Sequence, residues 1–217
     1  MKDTTKRLLI LFLLVQIGVY AQSDSKWHVG IEYSIDKLST DNGKRNDYLV
    51  TEGNVNGYAV KLNKTNYSVG VNTQYDISEK LRVSSGLLYA NKDFTGTYSC
   101  ATCDFIGTFP GYSPEHIKQR FLVIPLAVDY SLLSGHFKPI LKAGLNHNTE
   151  IKNDLKPNSN GYYLEGFVGA LITYKLLERS DVGIGYNYQF ALSELYKTDT
   201  FKLRTNSLYV QVTYKLK

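Results

Sequence analysis

The chain has 217 residues, with 25 Lys and Arg against 20 Asp and Glu (net charge +5), and it carries 18 tyrosines and 17 glycines but only 5 prolines and 1 methionine. No basic tract supports nucleic-acid binding. Two cysteines fall short of a four-ligand structural zinc site, and the Tyr- and Gly-rich balance points to one all-β domain.

At the N-terminus, Lys2, Lys6 and Arg7 precede an apolar run at 8–20 that ends beside Ala21. That layout predicts a secretory signal peptide over 1–21, cut before Gln22, and a single barrel domain over 22–217. The 13-residue run is shorter than the roughly 20 residues of a spanning helix. Its removal takes three positive charges and Asp3, which leaves +3. No other segment could be a membrane helix, so a membrane location requires a closed barrel, the other structure that satisfies every backbone group in hydrocarbon.

Period-two alternation predicts eight strands, at 27–38, 66–76, 81–92, 119–131, 137–148, 162–176, 181–192 and 206–216. Each is long enough for the roughly 9–11 residues of a tilted membrane strand. The connections alternate. "ISEK", "LLSGH" and "LERS" are short, whereas the others are long and polar. Short turns at one end and long loops at the other are the signature of an outer-membrane barrel with periplasmic turns.

One face of each strand is greasy. In the fourth it is Leu122, Ile124, Leu126, Val128 and Tyr130; in the first Trp27, Val29, Ile31, Tyr33 and Ile35; in the eighth Leu208, Val210, Val212, Tyr214 and Leu216. Tyrosines gather toward the strand ends, as in the aromatic girdles of membrane barrels. The opposite faces mix small residues with large and charged ones (Gly183, Gly185 and Asn187; Glu165, Phe167 and Gly169), which fits a narrow lumen filled by side chains. Asp129 is therefore assigned to the lumen, and Pro125, which lacks a backbone donor, predicts a bulge or weakened pairing. A soluble lipocalin-like barrel is the rival at the level of the fold.

The stretch "RFLVIPLAVDYSL", a short turn and "FKPILKAGLNHN" together resemble the PorT-type outer-membrane β-barrel family of Bacteroidota. In that family an aromatic-aliphatic strand with a central Pro-Leu leads to a strand ending in an Ala-Gly pair. The likeness extends to "YAQ" at the end of the signal peptide and to the alternating last strand. It implies an outer-membrane location and eight strands. The chain departs from the pattern at its end, "TYKLK", with Tyr214 three residues before the end rather than a final aromatic.

Eight strands leave an interior just wide enough for side chains, which argues against a general diffusion porin. A lumen charge network of Glu32, Arg82, Asp129, Lys142 and Glu165 is predicted, with Arg82 paired to Asp129 and Glu32 to Lys142, since buried charges need partners. It either plugs the lumen or gates a narrow ion or solute channel. The longest loop, 93–118, holds Cys100 and Cys103, expected as a local disulfide in an exported protein. Its aromatics Phe94, Tyr98, Phe105, Phe109 and Tyr112 suggest contact with a partner protein or with lipopolysaccharide. His28 and His136 read as interfacial residues. His147, at the outer end of the fifth strand, is the one candidate for a rim lipid hydrolase, but no serine lies near it in sequence. The expectation is a monomeric outer-membrane barrel, without catalysis, cofactor or metal, that binds or scaffolds through its loops.

Overall fold

The computed structural model describes residues 26–40, 46–52, 56–100, 113–197 and 201–217. In chain order the strands are β1 (Trp27–Thr40), β2 (Asn46–Glu52), β3 (Asn56–Lys61), β4 (Thr65–Asp76), β5 (Leu81–Asn91), β6 (Phe94–Ser99), β7 (Glu115–Ile117), β8 (Gln119–Ser131), β9 (Phe137–Asn153), β10 (Tyr162–Leu177), β11 (Ser180–Ala191) and β12 (Leu203–Lys215). Eight of them close into a barrel in the order β1-β12-β11-β10-β9-β8-β5-β4, every neighbour antiparallel. Each predicted segment is one of these strands, with ends shifted by a few residues, most of all in β9. No helix among the described residues is long and apolar enough to cross a membrane.

The side-chain phase follows the alternation of the sequence. Ile31, Val128 and Val210 point outward and are about half exposed, whereas Asp129 is 3 % exposed inside. Small residues let the walls approach: a Cβ on Gly169 of β10 would lie 2.0 Å from Asn187 Oδ1 and 2.5 Å from the Tyr186 carbonyl oxygen. Pairing between β5 and β8 runs through Ser85↔Leu126, lapses beside Ile124 and Pro125, and resumes at Leu88↔Val123. A proline cannot donate to the ladder, so the gap falls where its ring sits.

Aromatic residues band both rims of the lipid face. Trp27 and Tyr75 meet at 4.9 Å near the short turns, while Tyr33, Tyr67 and Tyr89 form a row across β1, β4 and β5 at 6.4 Å spacing nearer the long connections. The tight turn between β8 and β9 carries Gly135 at φ +126°, a backbone state that side chains disfavour.

Where the sequence predicts loops between the first and second and between the third and fourth barrel strands, the structure has a second sheet, ordered β2-β3-β6-β7. Its strands are short and bury one face only. Leu49, Val60, Phe94 and Ile117 from this sheet join Phe121, Tyr163, Leu195, Tyr196, Phe201 and Leu203 in one core over the long-connection end of the barrel. Phe94, expected on an exposed loop tip, is fully buried there. This sheet and its core form a cap on the extracellular mouth.

Candidate functional site

The lumen is built in three tiers. At the periplasmic floor, Arg82 lies opposite both Asp76 on β4 and Asp129 on β8 in the register. Its guanidinium turns to β4, where Nε donates to Asp76 Oδ1 at 2.6 Å and Nη1 to Gln74 Oε1 at 2.7 Å. The predicted pairing of Arg82 with Asp129 is thus corrected: counting by height cannot choose between two flanking aspartates, and Gln74 tips the choice toward β4. His28, expected at the interface, is instead buried in the lumen with Nε2 2.8 Å from Asp76 Oδ2. Its position follows from alternation with Trp27 and Val29, which face lipid.

The middle tier is a polar cavity of ≈ 40 Å³ that both Glu32 and Lys142 line, together with Pro125, Phe167, Asn187 and Tyr209. A cavity of this size holds about one to three waters. Glu32 and Lys142 share this space but are not among the direct ion pairs of the described residues. The Lys142 ammonium lies 5.7 Å from the centre of the Tyr209 ring, and Asn72 Nδ2 makes a long 3.5 Å contact with Glu32 Oε2. Nearby, Asp36 is satisfied by hydroxyls, with Ser34 Oγ donating at 2.8 Å and Ser68 Oγ at 2.5 Å.

The ceiling carries the ion pair that the sequence reading misses. Lys92, just past β5, reaches across to β10, where its ammonium donates to Glu165 Oε1 at 2.7 Å and to Tyr163 Oη at 2.6 Å. Tyr163 Oη also donates to Glu165 Oε1, and Asn148 Nδ2 donates to Glu165 Oε2, each at 3.1 Å. Lys92 and Glu165 are 2 % and 0 % exposed. Lys92 shares the inward phase of Arg82 along the predicted third strand, so alternation was the signal that could have found it.

The next residue, Asp93, clamps the cap to the barrel wall. Its Oδ1 accepts from the Gln119 N–H at 3.0 Å and from Arg120 Nη1, while its Oδ2 lies 3.1 Å from His116 Nε2. Its backbone exchanges hydrogen bonds with the Asn66 side chain at 2.8 and 3.1 Å. Burial alone would raise the Asp93 carboxyl, but the hydrogen bonds from Arg120 and Gln119 and the charges of Arg120 and His116 outweigh it and hold it below the ordinary carboxylate value. A depressed carboxylate stabilises the fold above its unfolded pKa, near 3.9, and that contribution is lost as pH falls through the lower folded value. Limited proteolysis by an acid-active protease should therefore begin to cut β7 only below about pH 4, with the barrel still resistant. A cap equally resistant throughout the acid range would show that Asp93 does not hold it.

Tyr98 lies on β6 and packs edge-on against Tyr58 at 5.2 Å, on the phase that points toward the cap core. Phe105, Phe109, Tyr112 and Cys103 lie outside the described residues. Cys100 is 5 % exposed and disulfide-bonded. His147 faces outward, and its Nδ1 meets Tyr162 Oη at 2.8 Å, so it belongs to the outer aromatic band.

The fold recurs among solved structures of low sequence identity. Neisserial surface protein A matches with a TM-score of 0.54 at 16 % identity, covering 88 % of this chain and 97 % of that one. The E. coli outer membrane protein W matches at 0.49 and 14 % identity, covering 89 % and 99 %. OprG, an outer membrane protein of Pseudomonas aeruginosa, matches at 0.47 and 15 % identity, covering 88 % and 96 %. No functionally curated protein matches the chain in sequence. The family model of the outer membrane protein beta-barrel domain matches residues 8–215, nearly the whole length, and the chain belongs to that family of outer-membrane barrels.

Proposed function

We propose that this protein is a non-conducting outer-membrane barrel that acts as a binding or scaffolding protein through its extracellular cap, without catalysis. The observation that carries the reading is the second sheet, β2-β3-β6-β7, whose apolar core occupies the barrel mouth. A solute would have to displace that core, then the Lys92–Glu165 pair, then the Arg82–Asp76–His28 floor. Binding residues sit disproportionately on loops held by a rigid scaffold, and here the loops are themselves folded into a platform. The outer phase of the platform carries Tyr48, Ala59, Lys61, Thr95 and Thr97, opposite one another in the β2–β3–β6 register. Export through a signal peptide over 1–21 and membership of the PorT-type group belong to the same reading, the latter supported by the stretch from Arg120 to Leu132 and the Ala143–Gly144 pair. The likeness in fold to surface barrels of other bacteria is compatible with it.

Affinity capture from gently solubilised outer membranes tests the reading. The native chain should retain a stoichiometric partner that is lost from Ala59→Arg/Thr97→Arg, in which two large cations are placed on the outer face of the platform. Recovery of the chain alone in both forms would end the cap reading. The narrow-channel alternative rests on the polar middle tier. Under that alternative Glu32→Gln would raise single-channel conductance, whereas a plugged barrel stays silent in both forms.

A further inference from the structure

Every carboxylate on the eight barrel strands, from Glu32 to Asp181, takes the lumen phase. The basic side chains on the outward phase are Lys37, Arg120, His147, Lys152 and Arg204, and each lies toward the extracellular end of its strand. Toward the periplasmic ends the outward phase carries no basic side chain among the described residues. The lipid face is therefore positive at one rim only.

Two of these cations meet where β1 pairs with β12. Lys37 is exposed between Asp36 and Leu38, which are 2 % and 3 % exposed, and Arg204 stands between Leu203 and Thr205, at 2 % and 0 %. Both side chains thus leave the wall on its outer side. In the register Lys37 faces Asn206 and Arg204 faces Ser39, which makes the two cations diagonal neighbours with Cβ atoms about 7–8 Å apart. Lys202 adds a third charge: Phe201 and Leu203 on either side of it are buried in the cap core, so it is turned away from that core. Lys37 and Lys202 enter none of the ion pairs among the described residues, whereas Arg120 is held by Asp93.

Depth points to the occupant. Lys37 is one outward position beyond Ile35, about 7 Å along the strand, and Arg204 is two beyond Leu208; Ile35 and Leu208 are half exposed on the lipid face. Between them Asn206 Oδ1 accepts from Tyr186 Oη, and Tyr33 stacks with Tyr67 across β1 and β4, so the cations begin where the aromatic band ends. We infer that Lys37, Lys202 and Arg204 bind the phosphate of an outer-leaflet lipid, a phosphorylated and acylated glycolipid of the lipopolysaccharide class, whose acyl chains lie along Ile35, Leu208 and Val210. An ammonium and a guanidinium at diagonal spacing can share one phosphate, the guanidinium in bidentate geometry. A soluble polyanion would gain nothing from the aliphatic column directly beneath, and an uncharged lipid nothing from the cations. The site lies on the barrel wall below the cap platform and does not depend on a partner bound there.

Native mass spectrometry of the full chain in non-ionic detergent, with equimolar lipid A and dephosphorylated lipid A, tests the site. The native chain should retain one phosphorylated lipid with a preference of at least about five-fold, the factor expected for each Lys or Arg close to a charged membrane surface. Lys37→Gln/Arg204→Gln should bind the two forms equally, whereas the charge-conserving Lys37→Arg/Arg204→Lys should keep the preference. Both positions lie outside the lumen and the cap core, so all three proteins should show the same heat-dependent gel shift of a folded barrel. Excess inorganic phosphate should leave the lipid bound. Equal retention of the two lipids by the native chain, an undiminished preference in the Gln variant, loss of preference in the charge-conserving variant, or displacement by inorganic phosphate would each overturn the site.

Discussion

Replacing Lys92 with methionine is expected to destabilise the protein by about 3–5 kcal/mol, because it leaves the Glu165 carboxylate buried without its cation. The remaining donors to Glu165, Tyr163 Oη and Asn148 Nδ2, are neutral, and a charge removed from water is held by neutral donors alone only at high cost. Urea titration of the protein folded into vesicles, followed by the heat-dependent shift of the folded band on gels, measures the loss. The double variant Lys92→Met/Glu165→Leu should recover most of it, since an apolar pair of similar volume often matches a buried ion pair. A single variant within about 0.5 kcal/mol of the native protein would mean that the pair does not stabilise the ceiling.

The second large effect concerns the lipid face. Val210, midway along β12 and opposite Tyr33 and Ile184, projects outward at the centre of the apolar band. Val210→Arg should cost about 2–4 kcal/mol, as a cation at the bilayer midplane does, whereas Thr65→Arg, outward at the extracellular start of β4, should cost about 0–1 kcal/mol. In a barrel surrounded by water the two substitutions would be equivalent. Equal stabilities of the two variants in the same vesicles would therefore contradict the membrane reading, and a difference of the stated size would support it.

Much of this architecture was legible because the barrel strands obey one rule along their whole length. Alternation over 11 to 17 residues survives an error of two or three at each end, and it fixed the facing of Asp129, Glu165 and Lys142. The cap was not legible for the opposite reason. β2, β3, β6 and β7 span 7, 6, 6 and 3 residues, too short for a period to stand out from Gly- and Asn-rich surroundings. Their apolar residues, such as Leu49 and Phe94, gain meaning only once Tyr196 and Phe201 from a distant connection close over them. Pairing within the lumen failed at a third level. The register put Arg82 across from Asp129 as expected, yet a guanidinium has the reach to choose among neighbours, and that choice depends on side-chain geometry that strand counting does not contain.

The seam between β1 and β12 joins residues from opposite ends of the described chain, His28 to Lys215. The cap repeats the same long-range pattern, because its core combines Leu49 from the first connection with Phe201 from the last. Contacts so remote in sequence form late, after the loop between them has been closed at an entropic cost. Consolidation of the mouth is therefore tied to completion of the cylinder. A chain stalled before its final strand docks shows both an unpaired edge and an uncovered aromatic cluster, the two features by which quality control and aggregation recognise unfinished protein. In this molecule sealing the mouth is also the record that assembly has ended.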